Sequence, residues 1–132
     1  MSDQVNWKKY ELANKWIHIL NKKKSIIENL KERGIDKIII YGASDFALRL
    51  MEQCENEQIV EVLAISDKLI VNDEGQYKEI PLITADKIQN FIEDNTCVVI
   101  TAMGYCEQIV DEFRKKGIEK YILLSDLIYD MY

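Results

Sequence analysis

The sequence predicts an α/β fold: three α/β/α layers around a five-stranded, mostly parallel sheet, preceded by a helical N-terminal extension. Short runs that are apolar throughout alternate with segments of helical periodicity, which is the pattern of strands covered on both faces and joined by crossover helices. Size agrees, since 132 residues suit one core that buries about two-thirds of the unfolded surface. We place the extension at residues 1–34 and the α/β domain at 35–132.

In the extension, Trp7, Tyr10, Ala13, Ile17 and Leu20 recur at three- and four-residue steps, the period of one helix face, with Trp16 beside it. Ser25 followed by Glu28 is the reciprocal capping pattern, so a second helix is expected over 26–33, stopped by Gly34. Lys37–Tyr41 is a β-branched strand closed by Gly42, and Phe46, Ala47, Leu50, Met51 and Cys54 continue at helical spacing. Ile59–Ile65 reads as the second strand, 71–79 as a polar loop, and Ile80–Ile83 as a brief third strand. Thr84 is placed to cap a helix reaching about Ile92. Cys97–Thr101 forms a fourth strand, a helix runs from Tyr105 to a stop at Gly117, and Tyr121–Leu124 forms the fifth strand. Ser125 is then expected to cap a last short helix.

Composition narrows the function. The chain is 48% hydrophobic and 30% charged, the profile of an ordered globular protein. No apolar run is long enough to span a bilayer, and Met1–Asn6 lack the charged-then-apolar pattern of an export signal, so a cytoplasmic protein is expected. Cys54, Cys97 and Cys106 form an odd set without paired spacing, which indicates neither disulfides nor a metal site. A formal charge of −6 opposes nucleic-acid binding. The charge is uneven: residues 1–33 carry eight basic side chains against four acids, and the remainder nine against nineteen. The basic extension is therefore expected to pack on its own domain or on a partner, including a second copy, with an anionic membrane surface as the alternative for its Trp- and Lys-bearing helix.

In a doubly wound sheet, ligands bind beyond the carboxyl ends of the strands where the winding reverses, which points to the turns after Tyr41, Ile65 and Thr101. The first turn, Gly42-Ala43-Ser44-Asp45-Phe46-Ala47, stands where a Rossmann-like domain carries its glycine-rich phosphate loop, with Ser44 in place of the middle glycine. The Ser44 hydroxyl can donate to a phosphate, whereas Asp45 competes with an anion for the amides of the helix start. Asp67, 25 residues beyond Gly42, is spaced to accept from a ribose, and Lys68 is placed to pair with it. Thr101, Ala102, Met103 and Gly104 offer a hydroxyl and backbone amides to the same crevice. Cys106 occupies a first helical turn, a position that can lower a thiol pKa, with Glu107 opposing. Histidine chemistry has only His18, far from the crevice in sequence, and no Tyr-x-x-x-Lys pair is present.

The segments K-I-I-I-Y-G-A-S, V-L-A-I-S-D, E-I-P-L-I-T, V-V-I-T-A and K-G-I-E-K-Y-I-L-L, in this order, resemble the Rossmann-like domains of bacterial surface-polysaccharide biosynthesis. These include the N-terminal domains of CapD-type dehydratases and PglD-type acyltransferases and short stand-alone forms. The resemblance implies a nucleotide or nucleotide-sugar ligand, NAD(P) or UDP-sugar in type, on Gly42, Ala43, Ser44 and Asp67, without the catalytic half of those enzymes. It leads to a binding protein that assists capsule or exopolysaccharide assembly. The alternatives are an interaction scaffold with a degenerate pocket, working through the N-terminal helix, and a small NAD(P)-dependent oxidoreductase with Tyr105 as proton donor.

Overall fold

The computed structural model describes residues 3–132; Met1 and Ser2, the start of the stretch tested for an export signal, lie outside the described residues. In chain order the elements are α1 (Asp3–Asn21), α2 (Ile26–Glu32), β1 (Lys37–Tyr41), α3 (Asp45–Glu57), β2 (Glu61–Ser66), β3 (Gln76–Tyr77) and β4 (Ile80–Ile83). A 3-10 turn (Ala85–Lys87) then leads into α4 (Ile88–Phe91), followed by β5 (Thr96–Ile100), α5 (Cys106–Lys115), β6 (Tyr121–Leu123) and α6 (Leu124–Met131). No helix of the described residues is long and apolar enough to cross a membrane.

The sheet order is β3-β4-β2-β1-β5-β6, with every pairing parallel except β3 against β4. This corrects the expected five strands to six in a mixed sheet. The additional strand arises because Lys78 and Glu79 both take left-handed backbone (φ 48° and 71°), closing a two-residue hairpin that pairs Gln76 with Pro81 and Tyr77 with Ile80. Such a turn normally advertises itself with Asn-Gly or Asp-Gly, and here it does not.

Side chains of β1 alternate between the two faces: Ile38 and Ile40 enter one core, Ile39 and Tyr41 the other. In β2 the alternation breaks. The register against β1 slips between Ile38 and Ile39, and Leu63 and Ala64 consequently face the same side. One core joins the sheet to α1, α2, α3 and α6, the other to α4 and α5, so helices cover both faces. Leu12, Trp16 and Ile19 of α1 and Ile26, Ile27 and Leu30 of α2 lie in the same cluster as Ile38, Leu50 and Leu127, which makes the extension part of the domain core.

The face of α1 that is buried is not the stripe read from the sequence. Trp7, Tyr10, Ile17 and Leu20 point to solvent, because α1 is apolar on two sides and the Leu12-Trp16-Ile19 side meets the domain.

A polar network ties that contact down. The Trp16 indole donates to Gln53 Oε1 (2.9 Å), the Gln53 amide donates to Glu57 (2.9 Å) and Ser25 (3.2 Å), and the Ser25 hydroxyl donates to Glu57. Ser25 also caps α2 by accepting from Ile27 and Glu28 amides. Its side-chain partner is thus Glu57 of α3 rather than Glu28, which is exposed. Two other caps differ from expectation. Thr84 precedes the 3-10 turn without capping it and donates to Asp73, and α6 begins at Leu124, leaving Ser125 inside the helix.

Candidate functional site

The winding reverses at β1, with β2 and β4 to one side and β5 and β6 to the other, and the carboxyl ends of β1 and β5 are where a sheet wound this way holds its ligands. Three turns converge there. Gly42, at φ +118°, donates to Ser66 O (2.8 Å), and this left-handed residue turns the chain off β1. An added Cβ at Gly42 would stand 2.7 Å from Thr101 Oγ1 and 2.9 Å from Ala102 N, so glycine lets the β1 and β5 turns touch.

Asp67, at the end of β2, accepts from the Ala43 amide (2.7 Å) through one carboxylate oxygen and from the Leu69 amide (2.9 Å) through the other. Its protein partners are therefore backbone amides and not the neighbouring Lys68. This places a carboxylate directly over the first turn, with lone pairs left to accept from a hydroxyl. Lys68 is exposed beside it.

Ser44 is the N-cap residue of α3, but its hydroxyl caps nothing: Oγ is buried with no hydrogen-bond partner. That orphan donor sits at the start of a 13-residue helix, the end that favours an anion. Asp45, exposed in the first turn, offers the helix a negative charge of its own.

The remaining expected residues divide. Ala43 is exposed and Ala102 half-buried at the crevice, whereas Thr101 is buried and gives its hydroxyl to the Gly42 and Tyr41 carbonyls (2.8 and 3.2 Å). Phe46 turns away to stack on Trp16 at 6.5 Å, and Met103 packs against the core that includes α1. Gly104 (φ +93°) is exposed on the far side of the turn, with Val5 of α1 3.3 Å from where its Cβ would be. Gly42, Ala43, Ser44, Asp67, Thr101 and Ala102 thus come together. Phe46, Met103 and Gly104 serve the contact with α1.

The thiols are not activated. Burial pushes Cys54 up to about 12 and Cys97 up to about 11. Burial likewise raises Cys106, half-buried and directed at Ala102 O, so its place at the start of α5 does not lower it as the helix position alone would. His18 lies on the solvent side of α1 against the Tyr132 ring at 5.2 Å. Burial also raises the Tyr41 phenol, with Glu112 and Asp67 adding to the effect. What gathers at these turns is one carboxylate held by two backbone amides and a buried hydroxyl without a partner. They are groups for holding hydroxyls and phosphate oxygens.

No family model, curated protein or solved structure matches the chain. Among the described residues no group of His, Cys, Asp and Glu is arranged to hold a metal ion.

Gln53 and Glu57 are structural residues that sequence reasoning missed. Their only signal is a pair of polar side chains four apart on the α3 face that also carries Leu50 and Cys54, at positions a helix of this kind fills with apolar residues.

Proposed function

We propose that the chain is a Rossmann-like cytoplasmic protein that holds a nucleotide or nucleotide sugar, of NAD(P) or UDP-sugar type, and assists bacterial capsule or exopolysaccharide assembly without performing the chemistry itself. The observation that carries the ligand is the 2.7 Å bond between Asp67 and the Ala43 amide at the winding reversal. It sets an acid over the phosphate-type turn at the place a ribose would occupy. The unpartnered Ser44 hydroxyl at the start of α3 suits a phosphate oxygen. The order of sequence segments supports the polysaccharide context, and a partner, either a second copy or an assembly enzyme, belongs on the N-terminal helices.

A thermal-shift panel of NAD(H), NADP(H), UDP-sugars and CoA tests this reading. A ligand at about 100 times its Kd stabilises by about 2.7 kcal/mol, on the order of 10 °C in Tm for a domain of this size. Asp67→Asn should weaken the response to ribose-bearing ligands about tenfold. A flat panel on folded protein would overturn the ligand reading.

One observation favours a second reading. The Ala43 amide is occupied by Asp67 and the Thr101 hydroxyl by Gly42, so the turn satisfies itself. On that reading the crevice is a closed structural joint and the chain is an interaction scaffold, the outcome a flat panel selects.

A further inference from the structure

We infer that the outward face of α1 pairs antiparallel with the same face of a second copy of this chain, about a two-fold axis between Ala13 and Asn14. The inference rests on the partner half of the reading above and is independent of its ligand half. Trp7, Tyr10, Ile17 and Leu20 are 64%, 64%, 55% and 46% exposed, a high price in water for an apolar stripe along one helix.

The stripe is symmetric about its own middle. Trp7 precedes the midpoint by as much as Leu20 follows it, and Tyr10 by as much as Ile17. An isologous contact requires such self-complementarity. Antiparallel pairing sets Tyr10 against Ile17 of the second copy at the centre and brings Trp7 level with Leu20 on the opposite flank, while small Ala13 beside the axis lets the helices approach closely. Exposed Asn6 comes level with exposed Asn21 of the second copy, and each side-chain amide can both donate and accept.

Charge placement agrees. At 100° per residue, Lys8, Lys9, Glu11, Lys15 and His18 fall on the flanks or the back of α1, so the pairing desolvates none of them at its centre. On the flank beside α6, Glu11 of one copy lies within a helical turn of His18 of the other. On the opposite flank a groove of about 360 Å³ between α1 and α3, lined by Trp16, Ile17, Leu20 and Phe46, continues the apolar surface. The four stripe side chains present on the order of 500 Å² per copy. Two copies then bury up to about 1,000 Å² from these four side chains, and the groove adds to it toward the size a specific interface needs.

Light scattering after size exclusion, run on the full chain, should give twice the 15.5 kDa protomer mass. Ile17→Glu should raise the dimer Kd at least about 100-fold with unchanged helix content by circular dichroism. On a Cys106→Ser background, Ala13→Cys should oxidise to a covalent dimer and Tyr10→Cys should not, because Tyr10 lies seven residues along the helix from its facing residue, Ile17. A monomer at about 100 µM, a dimer that survives Ile17→Glu, or a dimer that Ala13→Cys fails to cross-link would each overturn the inference. Nucleotide titration of the Ile17→Glu monomer reads the crevice separately.

Discussion

Gln53→Leu removes the centre of the network that fastens the N-terminal helices to the domain while keeping the side-chain volume. Trp16, 5% exposed, then holds an indole N–H with no acceptor, a loss of about 1–3 kcal/mol for a buried donor. Glu57 and Ser25 each lose one donor, but they keep each other and Glu57 is half-buried, so water replaces part of that loss. The expected total is about 2–3 kcal/mol. In a urea titration, with a slope of about 1.5 kcal/mol/M, the midpoint falls by about 1.3–2 M. The transition should stay single for tryptophan fluorescence and circular dichroism alike, because α1 and the sheet share one core. In a Trp16→Phe background, which has no indole N–H to orphan, Gln53→Leu should cost about 1–2 kcal/mol less. Equal costs in the two backgrounds, or a separate early transition for α1, would refute the network as the fastening.

Gly42→Ala should lower stability by about 3 kcal/mol, since the new Cβ meets Thr101 and Ala102 at φ +118°. Adding Thr101→Ala should not restore the Tm, because the backbone conformation and the Ala102 contact persist, and full rescue would contradict this account. Lys78→Asn with Glu79→Gly should raise stability by about 1 kcal/mol in calorimetry by relieving two left-handed non-glycine residues, and no gain would mean the hairpin is not formed. The Cys54 thiol is held protonated in the fold up to about 12 against an ordinary 9.0, so the unfolded chain ionises first as pH rises. Stability is complete below 9.0 and falls by about 1.4 kcal/mol per pH unit from there to about 12. Melting series from about pH 8 to 11 should show that slope reduced in Cys54→Ala, and identical slopes would refute the burial of this thiol.

Much of the architecture was legible because local signals and tertiary packing agree. The β-branched run Lys37–Tyr41 is a central strand, and Gly34 and Gly117 end helices in left-handed backbone. Where they disagree, packing decided. The three- and four-residue spacing of Trp7, Tyr10, Ile17 and Leu20 marks one apolar stripe of α1, yet Leu12, Trp16 and Ile19 on its other apolar side are the residues buried against the domain. Ser25 and Glu28 suggested a local capping box, but a long-range carboxylate, Glu57, reaches the serine. Of the crevice, the meeting of Gly42, Asp67 and Thr101 follows from the winding reversal, which strand order reveals. The mutual bonds of Asp67 with Ala43 and of Thr101 with Gly42 do not follow, since sequence spacing carries no information about which amide a carboxylate chooses.

The hairpin also decides what the sheet offers at one of its margins. One margin of the sheet is the two-residue β3; the other is the three-residue β6, which runs straight into α6. A strand arriving from another molecule finds too short a ladder at either margin to hold on to. Edge-on growth by strand addition is thereby disfavoured at both margins.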